Sequence, residues 1–270
     1  MIFIAILDPR FSRFSNETIE KAIRQNRGYQ VHRSWCVTWC QQHGQRLNEV
    51  LLATTDNNFS PIECSGTITA TLQRALNCAG HDKEYEAEYV YIYVFSHGVT
   101  REEGQFIKLN ENAYISDSTF MKLIMNNHVQ HVSVFLETCH SSGMYDPSPD
   151  WYVPEFSLAK PQPRFKYDYR KLYRVCFMNN TPYLCSYTSN VTVFSSSVSE
   201  DRCKTLIFNV PETTGAIGYA TMAIYNTIQN NSMFNFTPFE IRDIVNGYNH
   251  EIKESQYAQV HSPEFVPTWF

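Results

Sequence analysis

Two segments constrain this chain more than anything else in it: Tyr89–Phe95, reading YVYIYVF, and His131–Glu137, reading HVSVFLE. A strand with one wet face alternates apolar and polar residues, whereas a strand apolar at successive positions has both faces covered. Each segment therefore predicts a central strand of a parallel sheet with helices on both sides. Each also stops at reactive groups: Ser96-His97-Gly98 follows the first, and Glu137-Thr138-Cys139 closes the second.

The rest of the chain fits that frame. MIFIAIL at the start reads as a first buried strand. It lacks a basic n-region and runs at once into Asp8, Pro9 and Arg10, so it is expected not to be a signal peptide. Strands are further predicted at 50–53 and 191–195. Helices are predicted at 29–43 (closed by Gly44), 69–78 (closed by Gly80), 116–125, 216–227 and 238–253. Strand and helix in alternation predict an α/β sandwich with a mostly parallel central sheet, in one domain spanning residues 1–270. A long loop and hairpin insertion at about 146–190 interrupts it, beginning proline-rich and turning basic (RFKYDYRKLYR). Two readings of the loop stand side by side: a solvated surface loop, or a lid or processing linker beside a site. Within it, VCFMNNTPYLC reads as a hairpin turning at Asn180–Thr181, which would set Cys176 opposite Cys185. That pair is either a cross-strand disulfide in an oxidising compartment or two small apolar residues in a sheet face.

Composition excludes several classes. With 43% hydrophobic and 18% charged residues and a net charge of −5, the chain has the make-up of a globular domain. It lacks the clustered basic excess of a nucleic-acid binder. No run approaches the roughly 20 apolar residues that span a bilayer. The eight cysteines include no CxxC pair, which argues against a common zinc framework. Sequons begin at Asn16, Asn58, Asn179, Asn190, Asn230 and Asn235 and matter only in a secretory lumen.

The chemistry is read from the two strand ends. In a parallel sheet the carboxyl ends of neighbouring strands lie on one edge, and one crossover helix separates His97 from Cys139, as adjacent strands require. A thiol needs a nearby imidazole to yield thiolate near neutral pH and to protonate a leaving amine. Gly98 leaves room for a substrate backbone, and its N–H with that of Cys139 is a candidate oxyanion hole. A lone cysteine at a strand end is ordinarily a small buried apolar residue, and a lone histidine there a surface or capping residue. The matched pair with its glycine is what singles out a Cys139–His97 dyad.

At these residues the chain resembles the legumain family of cysteine peptidases, in the caspase-like clan, and within it the catalytic subunits of GPI-anchor transamidases. The family's His-Gly precedes a Gly-Phe-Leu-Lys-Phe strand; here His97-Gly98 precedes Gly104-Gln105-Phe106-Ile107-Lys108-Leu109. The transamidase Asp-Thr-Cys-x-x-x-Ser-Met-Tyr-Glu run is matched by Glu137 through Asp146, ETCHSSGMYD. The Ser-Ser-x-Val-x-Glu-Asp run is matched from Ser195 to Asp201, and the first strand's Ser-Arg-Phe turn by Ser12-Arg13-Phe14. The resemblance implies a caspase-like fold and a thiol-dependent attack on peptide bonds, with Cys139 as nucleophile and His97 as base. It implies Glu137, Ser195, Ser196, Asp201 or Glu200, and Arg27 (in Asn26-Arg27-Gly28-Tyr29) as substrate-binding residues. It further implies a protein or peptide substrate, other subunits of a transamidase complex if that duty is kept, and no cofactor or metal. Location in the endoplasmic reticulum lumen follows for a transamidase, and in the cytoplasm otherwise. A soluble legumain- or metacaspase-like endopeptidase and a catalytically inactive binding scaffold of the same fold are the alternatives.

Smaller signals have plainer readings. Cys36, Cys40 and His43 share one helix face, as metal ligands or as a core stripe beside Trp35 and Trp39. Asp56 ends a strand at the reactive edge, as a site residue or a turn residue. A flavodoxin-like domain would need a glycine-rich loop after the first strand, which Asp8-Pro9-Arg10-Phe11 is not.

Overall fold

The computed structural model describes residues 1–8, 23–53, 65–77, 88–101, 104–108, 114–125, 127, 129–139, 141, 173–178, 181–186, 190–197, 205–210, 213–251, 256, 258–263 and 269. In chain order the elements are β1 (Ile2–Leu7), α1 (Arg27–His43), β2 (Asn48–Ala53), α2 (Ser65–Asn77), β3 (Tyr89–Phe95), β4 (Gly98–Arg101), β5 (Gly104–Lys108), β6 (Tyr114–Ser116), α3 (Asp117–Met125) and β7 (His131–Glu137). Then follow β8 (Tyr173–Met178), β9 (Thr181–Ser186), β10 (Val191–Ser195), β11 (Thr205–Val210), β12 (Thr213–Gly218), α4 (Tyr219–Ile228), α5 (Pro238–Glu251) and β13 (Gln259–Pro263).

Among the described residues, eight strands form the central sheet in the order β2-β1-β3-β7-β10-β13-β9-β8. Five of the seven neighbouring pairs are parallel; β10–β13 and β8–β9 run antiparallel. The fold is therefore α/β with a mostly parallel central sheet, as the two doubly apolar segments predict. Side-chain alternation divides those segments between two cores. Tyr91, Tyr93, Phe95 and Phe135 face α1, α4 and α5, packing with Tyr29, Trp35, Ala220 and Ile241. Val90, Ile92, Val94, Val134 and Leu136 face α2 and α3, packing with Leu72, Leu76, Phe120 and Ile124. One face is thus largely aromatic and the other largely aliphatic, and both are buried.

Local chemistry sets the helix ends. Asn26 caps α1 by accepting the Tyr29 N–H at 2.9 Å, and Gly44 closes it at φ 64°, a left-handed conformation that favours glycine. Strand order reverses beside β1, since the chain goes to β2 on one side and returns to β3 on the other. Crevices at the carboxyl ends of strands form at such a point. The residues that follow β1, β3 and β7 there are Asp8, then Ser96 to Gly98, then Thr138 and Cys139.

Two expectations need correction. Residues 216–218 are not helical: β12 pairs with β11, with Ala216 opposite Ile207, and the helix begins only at Tyr219. Ala216 and Ile217 suit a helix by propensity, but strand pairing overrides that weak preference. The hairpin in the insertion is also shifted. Met178 pairs with Thr181, so Cys176 lies opposite Tyr183 and Cys185 opposite Arg174. This register does not place the two cysteines in a cross-strand pair. The proline-rich and basic stretch up to residue 172 and Asp56 lie outside the described residues.

Candidate active site

The site is built on the carboxyl ends of β1, β3 and β7. In the parallel ladder Phe95 pairs with Glu137, so the residues two steps further, His97 and Cys139, leave the sheet at the same level. Gly98 fixes how close the two chain ends come. A Cβ added there would lie 1.8 Å from the Cys139 carbonyl oxygen and 3.2 Å from its nitrogen. Only glycine allows this approach, because the obstruction is backbone and cannot swing aside. The sequence explains Gly98 by room for substrate; the structure adds contact with the Cys139 peptide unit.

Several bonds hold the His97 backbone in place. The Lys108 N–H donates to the His97 carbonyl at 2.8 Å, the Ser96 hydroxyl donates to the Lys108 carbonyl at 2.9 Å, and the Asp8 N–H donates to the Phe95 carbonyl at 2.9 Å. The His97 side chain is about half exposed (47%), and its Nε2 lies 3.7 Å from Oδ2 of Asp8, which is 2% exposed. A buried carboxylate against the ring orients it. The sequence reading missed Asp8 as a site residue. Its signal is the same as that of His97, a polar residue directly after an apolar strand, but only the β1–β3 pairing brings the two together.

Cys139 is a free thiol of intermediate exposure, whereas Cys36 and Cys40 are buried. The turn behind it is tied down by serines. The Ser195 hydroxyl donates to Ser141 Oγ at 2.6 Å, the Ser141 hydroxyl reaches the Ser197 carbonyl at 3.2 Å, and the Ser197 hydroxyl donates to the Thr138 carbonyl at 3.1 Å. Ser195, Ser196 and Ser197 have no exposed surface. In this conformation Ser195 and Ser196 are enclosed beneath the turn that carries Cys139. Glu137 is 1% exposed, and its carboxylate is enclosed by Tyr93 and the start of α4. Arg27 is exposed at the first residue of α1, its guanidinium 5.6 Å from the centre of the Tyr225 ring. Glu200 and Asp201 lie outside the described residues.

Of the Cys36–Cys40–His43 stripe, the two cysteines face the core and His43 is exposed. Burial pushes both thiols up in pKa, away from the thiolate form that metals bind. His43 Nδ1 is bonded to the Trp39 carbonyl at 2.8 Å. Among the described residues no group of three or more His, Cys, Asp or Glu is arranged to hold a metal ion, and no helix is long and apolar enough to cross a membrane.

No protein-family model matches this chain, and no curated protein matches it. Among solved structures it is similar to caspase-1 from Spodoptera frugiperda, at 10% identity and a TM-score of 0.46, over 97% of this chain and 85% of that chain.

Proposed function

We propose that this chain is a cysteine-dependent peptidase or transamidase that cuts peptide bonds through an acyl-enzyme, with Cys139 as nucleophile and His97 as base and then acid. The observation that carries the reading is the packing of Gly98 on the Cys139 peptide, with His97 and Cys139 at matching levels of paired strands. His97 takes the thiol proton as Sγ attacks the carbonyl carbon. The carbonyl oxygen gains the negative charge, for which the N–H groups of Gly98 and Cys139 are the candidate donors. The C–N bond then breaks as His97 returns the proton to the leaving amine. Asp8 supports the imidazolium between these two steps. Water resolves the acyl-enzyme in a peptidase, and an amine does so in a transamidase.

The resemblance to legumains and to GPI-anchor transamidase subunits carries the finer reading: a peptide substrate, further subunits if the acceptor is a GPI amine, and Arg27 and Asp201 as substrate contacts. Arg27 is exposed at the amino end of α1, the end that follows β1 on the reactive edge. The test is cleavage of a peptide library by the wild type and by Cys139→Ala. The expected result is cleavage that disappears in the variant; Asn at the cut favours a legumain-like pocket, and Lys or Arg a metacaspase-like one. Cleavage that survives Cys139→Ala, or a Cys139 inert to thiol probes, removes the enzyme reading and favours a binding scaffold.

A further inference from the structure

Directly under the nucleophile lies a polar chain that the proposed chemistry does not use. Glu137 Oε1 accepts the Thr221 N–H at 2.9 Å, and its Oε2 faces the Thr221 hydroxyl at 2.6 Å and accepts the Tyr93 hydroxyl at 2.9 Å. Thr221 Oγ1 is 2.8 Å from His32 Nε2, and His32 Nδ1 is 2.6 Å from the Tyr91 hydroxyl, which reaches Met233 Sδ at 3.7 Å. His32 and Thr221 have no exposed surface, and neither do Tyr91 and Tyr93. The chain joins β3, β7, α1 and α4.

The enclosure is made to fit. A Cβ on Gly218 would lie 2.0 Å from the Glu137 carboxyl carbon, and one on Gly28 would lie 2.5 Å from the Tyr93 hydroxyl. Two glycines thus admit the two polar ends. The first turn of α4 holds no acidic residue of its own, so Glu137 supplies the anion that a helix amino terminus favours. The donors also balance in either proton state. With Glu137 ionised, Thr221 donates to it, His32 Nε2–H donates to Thr221, and Tyr91 donates to Nδ1. With Glu137 protonated, every one of these bonds reverses, and Tyr91 turns its hydroxyl to Met233. Burial raises the pKa of Glu137 against the pull of its donors, and burial lowers that of His32. The reversible chain leaves the carboxyl group bonded through such a change.

We propose that Glu137 is a positioning residue: clamped to the start of α4 through Thr221 and Tyr93, it fixes the end of β7 so that Cys139 meets His97 in one geometry, and it does not touch substrate. This rests on the peptidase reading and differs from a pocket-wall role for the same residue in what it predicts. A wall sets which side chain is cut; a clamp sets how fast.

The experiment measures kcat, KM and residue preference over one peptide library for the wild type, Thr221→Val, Thr221→Ser and Glu137→Gln. Thr221→Val removes the central hydroxyl and keeps the N–H. It is expected to lower kcat by about tenfold or more, with KM and preference unchanged, because a reacting pair held slightly out of place loses rate rather than affinity. Thr221→Ser restores the hydroxyl and is expected within about twofold of the wild type, on the reasoning that a hydroxyl of the same geometry makes the same bond. Glu137→Gln is expected to lower kcat without altering preference. A changed residue preference or a raised KM at constant kcat in Glu137→Gln overturns the proposal, as does wild-type turnover by Thr221→Val. Tyr93→Phe carries the same readout if Thr221→Val does not fold. A wild type without Cys139-dependent turnover removes the peptidase reading and this inference together. An active wild type with an unaffected Thr221→Val removes this inference alone.

Discussion

The two ends of strand β7 both carry a buried titratable group, and they are built differently. At the amino end His131 is 7% exposed, with Nε2 3.2 Å from the Thr192 hydroxyl. The surrounding edge is tied shut: the N–H groups of Gln130 and His131 both donate to the Glu88 carbonyl, and Asn127 and Asn190 exchange reciprocal amide bonds at 3.0 and 2.8 Å. At the carboxyl end Glu137 is equally buried, but the chain beyond it emerges into a half-exposed histidine and a partly exposed thiol. The amino edge is a sealed hem. The carboxyl edge pairs a sealed layer with an accessible one, and accessibility begins two residues past the last ladder pair.

The two ends also titrate in opposite senses. Burial lowers the pKa of His131 to about 4, so its contribution to stability is present above the ordinary histidine pKa and is lost as pH falls through the folded value. Burial raises that of Glu137, so its contribution is present at low pH and is lost as pH rises through its folded value. Acid therefore strains the hem at His131 and, beneath Cys139, strains His32 while sparing Glu137.

The strongest way to break this comparison is at the close approach of the carboxyl edge. Gly98→Ala puts a methyl into the Cys139 carbonyl and forces the two chain ends apart. A displacement near 1 Å at a reacting pair costs on the order of 100-fold in turnover, so cleavage assays should show a loss of at least about that size in a protein that still folds. Activity retained in Gly98→Ala would show that the contact does not set the site. A smaller effect sharpens the amino end. Stability measured by urea unfolding should fall between neutral pH and pH about 4, with about 3 kcal/mol of the loss due to His131, since its pKa is lowered from 6.5 to about 4. His131→Gln should flatten that part of the profile while leaving neutral-pH turnover unchanged. An unaltered profile would place the acid sensitivity elsewhere, with His32, whose burial acts in the same sense.

What was legible in the sequence follows from which forces are local. Tyr89–Phe95, His131–Glu137 and Val191–Ser195 are found at their predicted bounds, because a doubly apolar run has few other ways to hide both faces. The matched levels of His97 and Cys139 follow from neighbouring parallel strands and a single crossover. Asp8 was not legible as a partner of His97, because β1 and β3 are joined through the whole of β2 and two helices, and only the sheet order makes them neighbours. The enclosure of Glu137 was hidden for a related reason. With a helix expected from 216, the free N–H groups of its first turn fall too early, and the actual start at Tyr219 aims them at the carboxylate. The insertion's register turned on one residue of loop length, which no apolar pattern fixes.

The central claim is that His97 acts on Cys139, and alkylation kinetics test it directly. Iodoacetamide modification followed by peptide mass mapping measures the rate at Cys139 in the wild type and in His97→Asn. The account predicts that Cys139 reacts ahead of the buried Cys36 and Cys40 and that His97→Asn slows it by about tenfold or more, the contribution of a positioned base. A Cys139 that reacts at the same rate in both proteins would contradict it.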